Sequence, residues 1–309
     1  MVGYLGFDAA RDIPDLSSKV IVVTGGNSGV GKESVLQLSK HKPAKLYMTA
    51  RSKAKYDAAI LDIKKSNPDA NITFLELDLA SFASVKAAAS TLLAENTRLD
   101  ILMANAGIMA VPPSLTKDGF EIQFGTNHLG HALFTKLLMP LLLKTAETPG
   151  SDVRIINVSS GAHMTAPKGG FLPEAVTTAM EKYHTYTRYG QSKMANIYFS
   201  RALAAKYPSI TSVAIHPGRV ATPLLDGYFG TASRGMKLFQ KTYDTFFMIP
   251  VEKGAINQLW ATVGNKKNVK SGAYYVPVGK EGGNAASKVA AKVEELWDWQ
   301  EEQFKRLGY

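Results

Sequence analysis

Residues 23–33 read VTGGNSGVGKE. They close the β-branched run KVIVVT (19–24) and open KESVLQLSKH, whose apolar residues recur at helical spacing. A glycine-rich turn between a strand and a helix is the setting a phosphate loop needs. Gly25 permits a tight turn, Gly29 lets the backbone approach a pyrophosphate, and Gly31 lets the helix pack close to a sheet. The helix N-terminus, with Asn27, Ser28 and Val30 in the same loop, offers free N–H groups and positive partial charge to an anion. The spacing is G-x-x-x-G-x-G and not the commoner G-x-G-x-x-G, so the loop alone also reads as a plain glycine turn.

The alternation continues outward. AKLYMTA (44–50), ITFLELD (72–78), LDILMAN (99–105), DVRIINVSS (152–160) and SITSVAIHPG (209–218) are further strand-like runs. Between them lie helical patterns: around Asp57 to Ser66, across 80–96, from about Asp118, and from Tyr189. Strands that are apolar throughout belong to a parallel sheet covered on both faces. The expected fold is α/β: a single Rossmann domain over 1–309, a doubly wound parallel sheet with helices on both faces. Two segments break the pattern, 161–188 and 219–250, and long irregular segments are usually lids or binding loops. The first is expected to loop out and cap the site. The second, at about 224–250 with Tyr228, Phe229, Met236, Phe239, Tyr243, Phe246 and Phe247, is expected to line a pocket for a lipophilic small molecule. GAYYVPVG (272–279) reads as an edge strand and 287–307 as a C-terminal helix.

Composition narrows the function classes. With no cysteine, disulfides, thiolate metal sites and thiol nucleophiles are excluded. The net charge of +10 attracts polyanions, but the lysines are dispersed and no dense basic block is interleaved with aromatics, so no nucleic-acid partner is expected. The opening MVGYLGFDAARDIP lacks the charge and apolar run of a signal peptide. The most apolar stretch, LGHALFTKLLMPLLLK (129–144), is too short to span a bilayer. These readings predict a soluble, cytoplasmic protein with no integral membrane segment. His128 and His131 stand three apart on a helix, but no third ligand joins them in a metal spacing, and no metal is expected.

The second strand carries a further discriminator. A free ribose 2′-hydroxyl is normally met there by an acid and a 2′-phosphate by Arg. Here the strand ends MTARSKAK: Arg51 holds the position, with Lys53 and Lys55 after it and no acid adjacent. The expectation is NADP(H) in preference to NAD(H).

TGGNSGVG, NAG (105–107), NHLGH (127–131), NVSS (157–160), YGQSK (189–193) and PGRVAT (217–222), in that order, resemble the short-chain dehydrogenase/reductase family over about Lys19 to Pro223. YGQSKMANIYFSRAL and the long gap before the tyrosine are similar to the branch of retinol dehydrogenases and WW-domain oxidoreductases. The resemblance implies cofactor contacts from the glycine loop, from Asp78 and Leu79, from Asn105, Ala106 and Gly107, and from Pro217, Gly218, Val220 and Thr222. It implies catalysis by Asn127, Ser160, Tyr189 and Lys193, with Ser159 supporting the strand end and a proton-relay water ordered by Asn127. Tyr189 and Lys193 would also hold the nicotinamide ribose. A homodimer through the helices carrying Asn127 and Tyr189 is the assembly implied.

The residue types suit hydride transfer. A phenol with an ordinary pKa near 10 is a poor base at neutral pH. Lys193, one turn after Tyr189, is placed to lower it, and the Ser160 hydroxyl to polarise a substrate oxygen. The expected reaction joins a carbonyl and an alcohol, with an alkene or imine as alternatives. A scaffold or nucleotide sensor that has lost turnover would be expected to lack members of the Asn, Ser, Tyr and Lys set, and all four are present.

Overall fold

Val20, Ile21, Val22 and Val23 are all buried, but in two directions. Val20 and Val22 join one apolar cluster, Ile21 and Val23 the other. Side chains alternate along a strand, so a strand that is apolar at every position needs a covering layer on each face. That is the architecture of the computed structural model, which describes residues 6–220, 248–283 and 289–309.

The strands are β1 (Val20–Val23), β2 (Lys45–Ala50), β3 (Thr73–Glu76), β4 (Ile101–Ala104), β5 (Arg154–Val158), β6 (Thr211–Ile215), β7 (Tyr274–Val276) and β8 (Lys280–Glu281). They form one sheet in the order β3-β2-β1-β4-β5-β6-β7-β8. Every pairing is parallel except β7 with β8. The stretch read as an edge strand, 272–279, thus has a neighbour on each side; the exposed pair Lys280 and Glu281 forms the edge instead, and charged residues suit that position.

Helices Gly29–Ser39, Lys53–Ser66 and Val251–Val263 contribute to one covering layer, and Phe82–Glu95, Gly130–Ala146, Thr185–Lys206 and Ala290–Arg306 to the other. The helix that carries Tyr189 begins at Thr185, capped by His184, and so starts one turn earlier than the motif alone suggests. From Arg188 to Ser200 every residue of it is buried. The reason is the C-terminal helix. Trp297 stacks on Phe199 with ring centroids 6.0 Å apart, and Trp299 meets Phe120, Phe124 and Phe171 edge-on.

Residues 161–184 do not form the cap expected of them. Phe171, Val176 and Met180 are buried in the core beside the Tyr189 helix. Gln191 accepts from the Leu172 amide at 2.9 Å. Gly170, at φ +92°, crosses so close to Tyr198 that a Cβ would strike its hydroxyl. Of the segment 161–188, Gly161 to Met164 and Tyr186 reach the cleft described below. Three spaced apolar side chains give this segment more to gain in the core than over an opening.

Candidate active site

The site residues leave the sheet at one edge. Gly25 follows β1, Arg51 follows β2, Asp78 lies just past β3, Asn105 follows β4, Ser160 lies just past β5 and Pro217 just past β6. Because β1 is flanked by β2 and β4, the chain winds away on both sides of it, and the crevice at such a switch point is where parallel sheets bind ligands. A cleft of about 1390 Å³ runs there, lined by Gly25, Asn27, Ser28, Gly29, Val30, Gly31, Arg51, Asp78, Leu79, Asn105, Ala106, Gly107, Ser160, Tyr189, Lys193, Pro217, Gly218 and Val220. Thr222 and the aromatic segment 224–247 lie outside the described residues.

The loop is shaped by its neighbours. Gly25, at φ +62°, approaches Ala106 so closely that a Cβ would sit 2.9 Å from its Cα. At Gly31 a Cβ would lie 2.6 Å from the Gly25 carbonyl oxygen and would run into the Asn105 amide. Gly29 has φ +52°. The Ser28 side chain makes no capping bond, so first-turn N–H groups, which no intrahelical bond can satisfy, remain along the cleft wall. Thr24, which the motif does not single out, holds the loop to β4. Its Oγ1 accepts from the amides of Asn105 at 2.9 Å and Ala106 at 3.0 Å, and lies 2.8 Å from His131 Nε2. Asn105 in turn donates to the Thr24 carbonyl.

Arg51 and Lys55 are exposed at the cleft and, among the described residues, neither has an ion-pair partner. Lys53 is committed to Asp57. Asp78 accepts from the Ala80 amide at 3.1 Å and has Lys117 3.9 Å away.

At the other end the two serines divide. Ser159 is buried and donates to the Lys193 carbonyl at 2.7 Å. Ser160 faces the Tyr189 hydroxyl and accepts from the Ala162 amide at 3.1 Å. Burial pushes the Tyr189 phenol up to about 12, and Ser160 beside it is the group pulling the other way. Burial also brings Lys193 down to about 8. Its Nζ donates to the Val158 carbonyl at 3.0 Å and lies 5.5 Å from the centre of the Tyr189 ring. In the free protein loss of hydration thus dominates at the phenol.

Asn127 is not within a regular helix. It lies in a π-helical turn, Gly125–Leu129, that feeds Gly130–Ala146. Its amide donates to the Ile108 carbonyl at 2.9 Å and the Ser192 hydroxyl at 3.0 Å, while Oδ1 accepts from the Ile108 amide at 2.8 Å. One Oδ1 lone pair remains for a water; the rest of the side chain clamps the segment after β4. Two neighbours that motif reading passes over do the same. Gln123 accepts from the Ala110 amide at 3.0 Å, and Arg188 donates to the Val111 carbonyl at 2.8 Å. Arg188 also forms a fully buried ion pair with Glu121 at 2.8 Å. Only the long-range fold joins these residues, so no local spacing could reveal them.

His128 and His131 are engaged by hydrogen bonds. His128 lies between Asn196 and Gln300, His131 between Thr24 and the Asn127 carbonyl, and burial lowers them to about 4 and about 3. The described residues hold no cluster of three or more metal-ligating side chains, and none of their helices is long and apolar enough to cross a membrane.

The donors present fit a pyridine dinucleotide. An unsatisfied helix N-terminus and close glycines suit a pyrophosphate, Arg51 and Lys55, without an ion-pair partner among the described residues, follow β2, and a neutral phenol faces a hydroxyl at the far end. The model of the short chain dehydrogenase family matches residues 19–172. An uncharacterized oxidoreductase of Schizosaccharomyces pombe is 39% identical over 305 residues, covering 97% of this chain and 88% of the relative. Retinol dehydrogenase 12 of Mus musculus is 32% identical over 285 residues, covering 92% and 85%. Among solved structures, an uncharacterized protein from Mycobacterium paratuberculosis aligns with a TM-score of 0.72 at 28% identity, covering 97% of this chain and 98% of that one. NADPH bound carbonyl reductase from chicken fatty liver aligns with a TM-score of 0.62 at 26% identity, covering 86% and 99%.

Proposed function

The chain belongs to the short-chain dehydrogenase/reductase family, and from that premise we propose that it is an NADP(H)-dependent oxidoreductase acting between a carbonyl and an alcohol of a lipophilic molecule. The observation that carries the reading is the meeting of Ser160, Tyr189 and Lys193 in the same cleft as the glycine loop and Arg51. Ile108, Met109, Val111, Met164 and Met248 give that cleft an apolar wall, which suits a lipophilic substrate. The name of the murine relative points the same way.

When bound, the dinucleotide supplies hydride in its reduced form and a positive charge in its oxidised form. In reduction, Tyr189 enters as the neutral phenol and gives its proton to the substrate oxygen as negative charge develops there. The Ser160 hydroxyl donates to the same oxygen and polarises the carbonyl. Lys193 holds ribose hydroxyls and keeps a cation beside the phenolate that remains. Asn127, through its remaining Oδ1 lone pair, would position a water that returns a proton by way of Lys193. Arg51, with Lys55 beside it, would meet the 2′-phosphate.

Fluorescence titration of NADPH and NADH against the wild type and Arg51→Ala tests the cofactor half. A preference for NADPH of about tenfold or more, largely lost in the variant, is expected, in line with about 1.5–3 kcal/mol for a charge-assisted hydrogen bond. Equal binding of both dinucleotides removes the Arg51 argument, and binding of neither removes the enzyme reading.

A further inference from the structure

Two polar atoms beside the candidate catalytic residues have no hydrogen-bond partner among the described residues. Nε2 of His163 and the hydroxyl of Tyr274 are buried without a hydrogen bond, although both residues line the cleft with Ser160 and Tyr189. Buried polar atoms are nearly always matched, and one left unmatched is costly. Here two orphans lie together. The rings meet edge-on with centroids 5.1 Å apart, and the residues are 3% and 1% exposed. Tyr274 is also near enough to Tyr189 that charge on one would raise the other.

The hydrogen-bonding character of each is fixed. His163 Nδ1 lies 2.8 Å from the Ser160 carbonyl oxygen, which can only accept. Nδ1 therefore carries the hydrogen, and Nε2 of the neutral ring holds a lone pair. Burial keeps the imidazole below its ordinary value and the Tyr274 phenol above its own, so both stay neutral near physiological pH. The two neighbouring rings thus carry one unmatched acceptor and one unmatched donor.

We infer that His163 and Tyr274 form a second substrate subsite that receives a hydroxyl group, so that the substrate carries an alcohol a few atoms from the carbonyl addressed by Ser160 and Tyr189. A hydroxyl donates to Nε2 and accepts from the phenol at once. A carboxylate or a second ketone would satisfy Tyr274 and leave Nε2 unmatched, and an ammonium would do the reverse. The substrate class is a hydroxyketone, with a diol as its reduced form. The inference rests on the reductase reading above and narrows it.

The test compares matched ketones, deoxybenzoin with benzoin and benzylacetone with its β-hydroxy derivative, using NADPH and either the wild type or Tyr274→Phe. The expected result is a wild-type kcat/KM favouring the hydroxylated member of at least one pair by about tenfold or more, falling to near parity in Tyr274→Phe. Parity in the wild type for both pairs, or a preference that survives the substitution, overturns the subsite. Should the wild type consume no NADPH with any of the four, the reductase reading fails for these compounds. The subsite is then judged by side-chain nitrogen NMR of His163. The Nε2 resonance should move on adding a hydroxyketone and stay fixed with its deoxy partner; a resonance unmoved by both hydroxyketones overturns the proposal.

Discussion

Lys193 carries a pKa of about 8 because its ammonium is buried, and that value sits within the working range of an enzyme. Below it the ammonium is charged; above it the cation beside Tyr189 is lost. The kcat/KM for NADPH, which reports groups of the free enzyme, should therefore fall as pH rises through about 8. Tyr189, held near 12, cannot be the source of that limb. Lys193→Arg should move the limb upward in a pH–rate series, and an unchanged limb would assign it elsewhere. The Tyr189–Lys193 pair was legible because four residues bring side chains together on any helix. The choice of Ser160 over Ser159 was legible only through the family resemblance, although the geometry separates them: Ser159 is spent on the Lys193 carbonyl. His163 was not legible. What singles it out is an unmatched nitrogen beside Tyr274, and Tyr274 lies on a segment far along the chain.

The π-helical turn at Gly125–Leu129, the helix that follows it and the Tyr189 helix are joined by buried polar side chains. Glu121 caps the short helix Ile122–Phe124 that leads into the first by accepting from the Phe124 amide at 2.7 Å, and with its other oxygen binds Arg188. Removing one partner of a buried pair leaves a charge without compensation, at a cost of about 3–5 kcal/mol. Glu121→Gln and Arg188→Met should each destabilise by about that much, and the double variant by less than their sum. Strict additivity in urea unfolding would mean that the pair is not coupled. His128 and His131 act on stability through pH. The unfolded chain binds protons at the ordinary histidine value, whereas the folded one does so only near 4 and 3. Unfolding therefore takes up protons below about pH 6.5, and stability falls on acidification through that window by several kcal/mol, at about 1.4 per unit of separation. Urea midpoints at pH 7 and 4.5 measure it, and His131→Gln should flatten the slope. The strands were legible because β-branched runs and glycine turns are local signals. The path of 161–184 was not, since whether Phe171 and Val176 face a cleft or a core depends on Trp299, more than a hundred residues further along.

The expected homodimer places the Tyr189 helix against a second copy. In the structure Ala290–Arg306 takes a place beside it, with Lys206 paired to Glu294 and Lys136 to Glu301 from neighbouring helices. Arg188 to Ser200 of that helix are thus buried within one chain, and light scattering is expected to return the mass of one chain. A concentration-independent dimer would show that another surface pairs. The sequence indicated that MANIYFSRALAA was apolar enough for either role, and the C-terminal helix lies against it within one chain. That same position bears on biosynthesis. By the time residue 283 has been made, every strand among the described residues and every proposed catalytic group exists, but Phe124, Phe171 and Phe199 still lack the tryptophans that cover them. A nascent chain at that stage carries a nearly finished sheet and a sticky flank, the kind of intermediate that aggregates or recruits chaperones. Until Trp297 and Trp299 are in place, that flank stays uncovered.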